Sequence, residues 1–164
     1  MKNIYFIGGT MGVGKTTTCH LLKQKLNKAV FLDGDWCWDA DPFQVTAETK
    51  KMVLANISDL LNRFIQCTAY ENIIFCWVMH EQKVIDAILS RLDIRGCRLT
   101  LISLVCDADA LILRLQNDIA AGSRQADILE RSVCRLLSYD QLNTIKIDVS
   151  GITAEEAAEK IIAL

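Results

Sequence analysis

Proline is nearly absent: Pro42 is the single one in 164 residues, and glycine is sparse outside one cluster. A chain so poor in punctuation is mostly regular structure joined by short connections. Long apolar runs are missing too. The longest, residues 73–79, is far too short to cross a bilayer, so no membrane partner is expected. Neither sign of charge prevails. A net charge of −2 gives no electrostatic reason to expect nucleic acid. Met1-Lys2-Asn3 leads into an apolar stretch without the small-residue cleavage site of a signal peptide. The seven cysteines (19, 37, 67, 76, 97, 106 and 134) contain no C-x-x-C pair, and their irregular spacing fits reduced, buried thiols. Together these absences point to a cytoplasmic protein.

What is present is enough for a substantial core. The hydrophobic fraction is 51% and the charged fraction 23%, a balance suited to one domain over residues 1–164 that buries about 70% of its unfolded surface. Short apolar runs at 3–8, 29–32, 72–79, 98–106 and 144–148 predict five strands. Between and after them, helical spacing of apolar residues predicts helices at 15–26, 46–67, 81–92, 109–118, 124–139 and 153–163. The last opens with the capping box Thr153-Ala-Glu-Glu156. Strands that are apolar throughout and alternate with helices imply an α/β three-layer sandwich, a five-stranded parallel sheet with helices on both faces. The polar connection at 117–126, containing Gly122, is expected to form a small lid.

Four of the eight glycines fall between residues 8 and 14. Gly9-Thr10-Met11-Gly12-Val13-Gly14-Lys15-Thr16 satisfies G-x-x-x-x-G-K-[ST] in full, between a predicted strand and a predicted helix. Glycines let successive N–H groups turn inward toward phosphate oxygens, and the following helix, with Thr17 in its first turn, presents unpaired N–H groups to the same oxygens. Lys15 then reaches the β- and γ-phosphates of a nucleotide, and the Thr16 hydroxyl is placed to ligate Mg²⁺.

With its early phosphate loop, its length and its five strands, the chain resembles the small P-loop kinases, the group of shikimate kinase, gluconate kinase, adenylylsulfate kinase and chloramphenicol phosphotransferase. Asp33-Gly34-Asp35, closing the second strand, is similar to the D-G-D or D-x-D of that group. The resemblance implies ATP and Mg²⁺ as cofactors. One carboxylate, assigned to Asp33, would help hold the metal, and the other, Asp35, would bind or deprotonate the acceptor hydroxyl; the opposite assignment stays open. It also implies an arginine packed on the adenine, matched by Arg114, and a lid arginine on the phosphates, matched by Arg124. Arg131 and Arg135 share a helical face with Arg124 and are read as a solvated face. Residues 148–153 are similar to the final loop that wraps the base. The chain departs from many P-loop enzymes in one respect: the third strand ends in Cys76-Trp77-Val78-Met79-His80, with no aspartate. Asp107, closing the fourth strand, is better placed to cap the helix behind it.

These residues predict an ATP-dependent kinase that phosphorylates a hydroxyl of a small-molecule acceptor. The alternative is a nucleotide-binding regulator or ATPase with a macromolecular partner. Monomer and dimer are both open. All three tryptophans, Trp36, Trp38 and Trp77, fall at or just after the carboxyl ends of strands two and three, the edge where open α/β sheets bind ligands, and His80 lies in the same stretch. They are read as an acceptor pocket for a molecule with a flat face, such as a nucleoside, an aromatic compound or a sugar ring.

Overall fold

The computed structural model describes residues 1–122 and 127–164. Five parallel strands, β1 (Lys2–Gly8), β2 (Ala29–Asp33), β3 (Asn72–Cys76), β4 (Cys97–Val105) and β5 (Ile145–Asp148), form one sheet in the order β2-β3-β1-β4-β5. Six helices surround it: α1 (Lys15–Lys25), α2 (Ala47–Gln66), α3 (Gln82–Leu89), α4 (Ala108–Ala120), α5 (Ile128–Leu136) and α6 (Ala154–Ile162). This is the expected P-loop α/β fold. Among the described residues, no helix is long and apolar enough to cross a membrane.

Strand side chains alternate between two cores. Ile4 and Phe6 of β1 and Ile73 and Phe75 of β3 point toward α2 and α3, where Val53, Ile57, Leu61, Ile85 and Ile88 meet them. Ile7, Ile74 and Cys76 point the other way, onto Cys19 and Leu22 of α1 and Ala157, Ala158 and Ile161 of α6. Burial on both faces is why these strands read as continuous apolar runs. The neighbours β1 and β3 thus send their following helices, α1 and α3, to opposite faces. A crevice opens between the departing chains at the carboxyl edge of the sheet.

Several boundaries differ from expectation for identifiable reasons. β3 stops at Cys76, three residues early. Its neighbours β1 and β2 pair with it only as far as Ile7 and Asp33, and β1 then turns away into the phosphate loop. Trp77, Val78 and Met79 are therefore loop residues, although Met79 is buried. α3 ends at Leu89 because Asn62 of α2 captures the chain beyond it, donating to the Arg91 carbonyl at 2.8 Å and accepting from the Asp93 amide at 3.0 Å. The expected helix at 124–139 is α5 followed by a tighter 3-10 turn at Leu137–Gln141, which carries the Tyr139 ring into the core. Residues 117–120, expected in the lid, are the last turn of α4; of the remainder, 123–126 lie outside the described residues. Asp107 does cap α4, accepting from the Ala110 amide at 2.7 Å, and the Thr153–Glu156 capping box is formed. The cysteines are all free thiols, but only Cys19 and Cys76 are buried; Cys67 and Cys134 are exposed.

Candidate active site

The phosphate loop turns at Gly14, which holds the left-handed conformation φ 103°, ψ 14° at the N-terminus of α1. No side chain caps that helix and no acidic residue stands in its first turn. Nothing lies within 4 Å of the place a Gly14 Cβ would occupy. Free N–H groups, the positive end of the helix dipole and open space thus coincide, as an anion site requires. Thr10 serves the framework: its hydroxyl donates to the Ser132 carbonyl at 2.8 Å, tying the loop to α5. Val13 is buried in the core, and Met11 packs against the small cluster between α4 and α5.

A cleft of about 340 Å³ opens in front of the loop, lined by Gly12, Gly14, Lys15, Thr16 and Thr17 on one side and Asp33, Asp35, Trp77, Arg114 and Asp118 on the others. The Lys15 ammonium donates to the Thr10 carbonyl at 2.9 Å. Burial pushes its pKa below the ordinary lysine value, and the carboxylates of Asp35 and Asp33 act in the opposite direction. Asp33, buried at the end of β2, accepts from the Thr16 hydroxyl at 2.9 Å and from the Asp35 amide at 3.1 Å. A third donor is the Cys76 thiol, 3.5 Å away; its partner Cys19 and its burial hold that thiol protonated.

Asp35 sits in a 3-10 turn at Gly34–Cys37 that the sequence did not foretell. The Trp77 indole N–H donates to its carboxylate at 2.9 Å. Gly34 makes this contact possible: a Cβ there would stand 2.5 and 2.7 Å from Trp77 ring atoms. The glycine of Asp33-Gly34-Asp35 is thus required by the ring against it.

Arg114 lines the cleft while its guanidinium donates to the carbonyls of Val13, Val149 and Ser150. It joins the phosphate loop to the loop after β5, the segment read as base-wrapping. Arg124 lies outside the described residues. Arg131 pairs with Asp127 at 2.9 Å on an exposed face. His80 is set apart from the cleft, with Nε2 3.5 Å from Glu81; burial and then Arg135 push its pKa down. The other tryptophans diverge. Trp36 packs edge-on against Phe31, whereas Trp38 meets Phe43 at 4.8 Å and Trp77 at 6.1 Å between ring centroids.

Sequence reasoning missed Cys76, whose only signal is its register opposite Asp33, and Asp118, on the inner face of α4. Among the described residues no group of three or more His, Cys, Asp and Glu side chains is arranged to hold a metal alone. The Thr16 hydroxyl and Asp33 carboxylate nevertheless fit Mg²⁺, a hard cation that is bound by few protein oxygens together with water and phosphate.

A family model described as AAA domain matches residues 6–137. No curated protein sequence matches the chain. Solved structures do. The tunicamycin resistance protein of Deinococcus radiodurans superposes with a TM-score of 0.72 at 21% identity, over 99% of this chain and 95% of that one. A gluconokinase from Sinorhizobium meliloti 1021 gives 0.72 at 16%, over 98% and 90%. The Mycobacterium tuberculosis APS kinase, in complex with AMPPNP and APS, gives 0.64 at 14%, over 99% and 95%. At these identities the likeness establishes the fold alone, the parallel α/β sandwich with a phosphate loop that these structures share.

Proposed function

The chain belongs to the AAA domain family, and from that premise we propose that it is an ATP-dependent phosphotransferase acting on a hydroxyl of a small-molecule acceptor. One observation carries the reading: a phosphate-binding helix N-terminus, a Thr16–Asp33 pair suited to Mg²⁺, and a carboxylate fixed by an indole all face one cleft. A carboxylate so placed can orient an acceptor hydroxyl, and in a hydrolase it would orient water instead, so acceptor-dependent turnover is what separates the two. The gluconokinase and APS kinase of the same fold are named for small-molecule acceptors, which favours the same class here.

In this mechanism the triphosphate lies along residues 9–16. Loop amides and Lys15 hold the β- and γ-phosphates and balance the charge that grows as the bond to the leaving oxygen breaks. Mg²⁺, when held by Thr16 and Asp33 beside the phosphates, supplies further charge neutralisation. The acceptor oxygen forms the new bond to the γ-phosphorus, its proton passes to the Asp35 carboxylate, and ADP departs. The Trp77 N–H keeps Asp35 in one rotamer, so the base is aligned before the acceptor arrives.

The test is ADP formation from Mg-ATP with and without a pool of small hydroxyl compounds, for the parent and for Lys15→Ala. A kinase consumes ATP faster when its acceptor is present, in a Lys15-dependent manner. Turnover that ignores every small molecule, or ATP that does not bind, overturns the proposal.

A further inference from the structure

The carboxylate of Asp33 is buried and is held by three donors, none of them a cation: the Thr16 hydroxyl, the Asp35 amide and the Cys76 thiol. A buried carboxylate with so few donors keeps its place only as well as each one holds it. The Asp35 amide bonds Oδ1 at 3.1 Å. Thr16 and Cys76 share the other oxygen, Oδ2, at 2.9 and 3.5 Å. Thr16 approaches from the phosphate side, and the thiol approaches from the sheet.

Register explains how the thiol gets there. Asp33 and Cys76 stand opposite one another in the last rung of the β2–β3 ladder, so both side chains leave the sheet on the face turned to α1. Cys76 and Cys19 of α1 are fully buried in the core beneath that helix. A buried cysteine is ordinarily a small apolar residue, and the rest of β3, Asn-Ile-Ile-Phe, shows that hydrocarbon suits this core. A valine at 76 would pack there, but it would leave Oδ2 tethered by Thr16 alone, and Thr16 also serves the metal. Cysteine packs as an apolar residue and still donates a hydrogen bond.

We propose that Cys76 is a positioning residue for the metal site: its S–H pins the Asp33 carboxylate in the orientation from which, with Thr16, it holds Mg²⁺ beside the phosphates. This rests on the phosphotransferase reading and adds to it a residue that acts through Asp33. Without the thiol the carboxylate is free to turn about its Cβ–Cγ bond, and the metal meets a misplaced ligand.

Cys76→Ala and Cys76→Ser separate this role from packing. Calorimetry gives the affinity for AMPPNP with Mg²⁺ and with EDTA, and the ratio of the two measures what the metal contributes. In Cys76→Ala the ratio falls by about tenfold, the low end of the loss expected when a metal ligand is deprived of its outer partner, while the affinity in EDTA is unchanged. Cys76→Ser, whose hydroxyl donates as the thiol does, brings the ratio back to within about threefold of the parent. Thermal unfolding without nucleotide ranks the variants differently: serine, polar in an apolar core, gains nothing over alanine. A packing role alone would make the metal ratio follow stability in both. A parental ratio in Cys76→Ala, no restoration in Cys76→Ser, or an equal loss of affinity in EDTA overturns the proposal. If the parent still forms ADP in a Lys15-dependent manner, only the role of Cys76 is then wrong. AMPPNP binding that ignores Mg²⁺ in the parent overturns both readings.

Discussion

The two ends of the cleft are built in different ways. At the phosphate end the backbone N–H groups stand open while the polar side chains are engaged within the protein: Lys15 on Thr10, Thr16 on Asp33, Thr10 on Ser132, Arg114 on Val13 and Val149. At the acceptor end the walls are bare rings, and the indole–carboxylate bond of Trp77 and Asp35 joins them to the chemistry. Nucleotide phosphates are the same for every enzyme of this fold, so their site can be prepared in backbone and buried side chains. The acceptor surface is completed only by its ligand. The difference implies that the two ends can be disabled separately.

Asp35→Asn strikes the acceptor end hardest. The shape stays and the base is lost, so acceptor phosphorylation falls by about 10²–10⁴, while Mg-ATP affinity, measured calorimetrically, stays within a few-fold. Loss of both together would place Asp35 on the phosphate side and leave Asp33 to meet the acceptor. Lys15→Ala is the converse. Removing one preorganised charge from the transferring phosphoryl group lowers turnover by about 10²–10³. Acceptor binding, read by fluorescence, is retained. Turnover within a few-fold of the parent would mean the loop takes no part in the chemistry.

Gly34→Ala sharpens the comparison at its joint. The new methyl group would overlap the Trp77 ring, and overpacking of this kind costs about 1–3 kcal/mol. As the ring yields, Asp35 loses the indole N–H that orients it. The expected result is a modest fall in thermal stability and about a tenfold loss of acceptor-dependent kcat, with ATP affinity preserved. Trp77→Phe, which removes the N–H and keeps a ring, should reproduce the kinetic loss with less of the stability loss. If Trp77→Phe keeps parental kcat, the indole–carboxylate bond does not position the base.

How much of this was legible follows the same division. The phosphate loop could be read because its chemistry demands residue types at fixed spacing, and the parallel sheet because burial on both faces writes continuous apolar runs. Asp33-Gly34-Asp35 was visible as a motif, but the reason for its glycine was not, since the clashing ring lies 43 residues away on another strand's exit. Cys76 reads as one more apolar strand residue until β2 and β3 are in register and its thiol faces Asp33. The end of β3 was misplaced because Trp77 and Met79 are apolar for tertiary reasons, packing against the core below α2 and α3 after their pairing partners have turned away. The tryptophans stood out in the sequence as a group, yet spacing cannot separate Trp36, which leans on Phe31, from Trp38, which faces Phe43 and Trp77.

The smallest effect tests whether the prepared end is also electrostatically adjustable. Burial depresses the Lys15 pKa in the free protein, and a bound triphosphate, bringing several negative charges, raises it again. Between those two values nucleotide binding must take up a proton. The sign follows directly: affinity is full below the depressed pKa, declines as pH rises through it, and levels off above the restored one. The slope cannot exceed one proton, so affinity changes by less than about tenfold per pH unit. Calorimetry of ATP binding in two buffers of different ionisation enthalpy measures the uptake. Lys15→Arg should abolish it, because guanidinium stays protonated throughout. Undiminished uptake in that variant would assign the proton to another group, and no uptake in the parent at any alkaline pH would show that the free Lys15 is charged whether or not the phosphates are there.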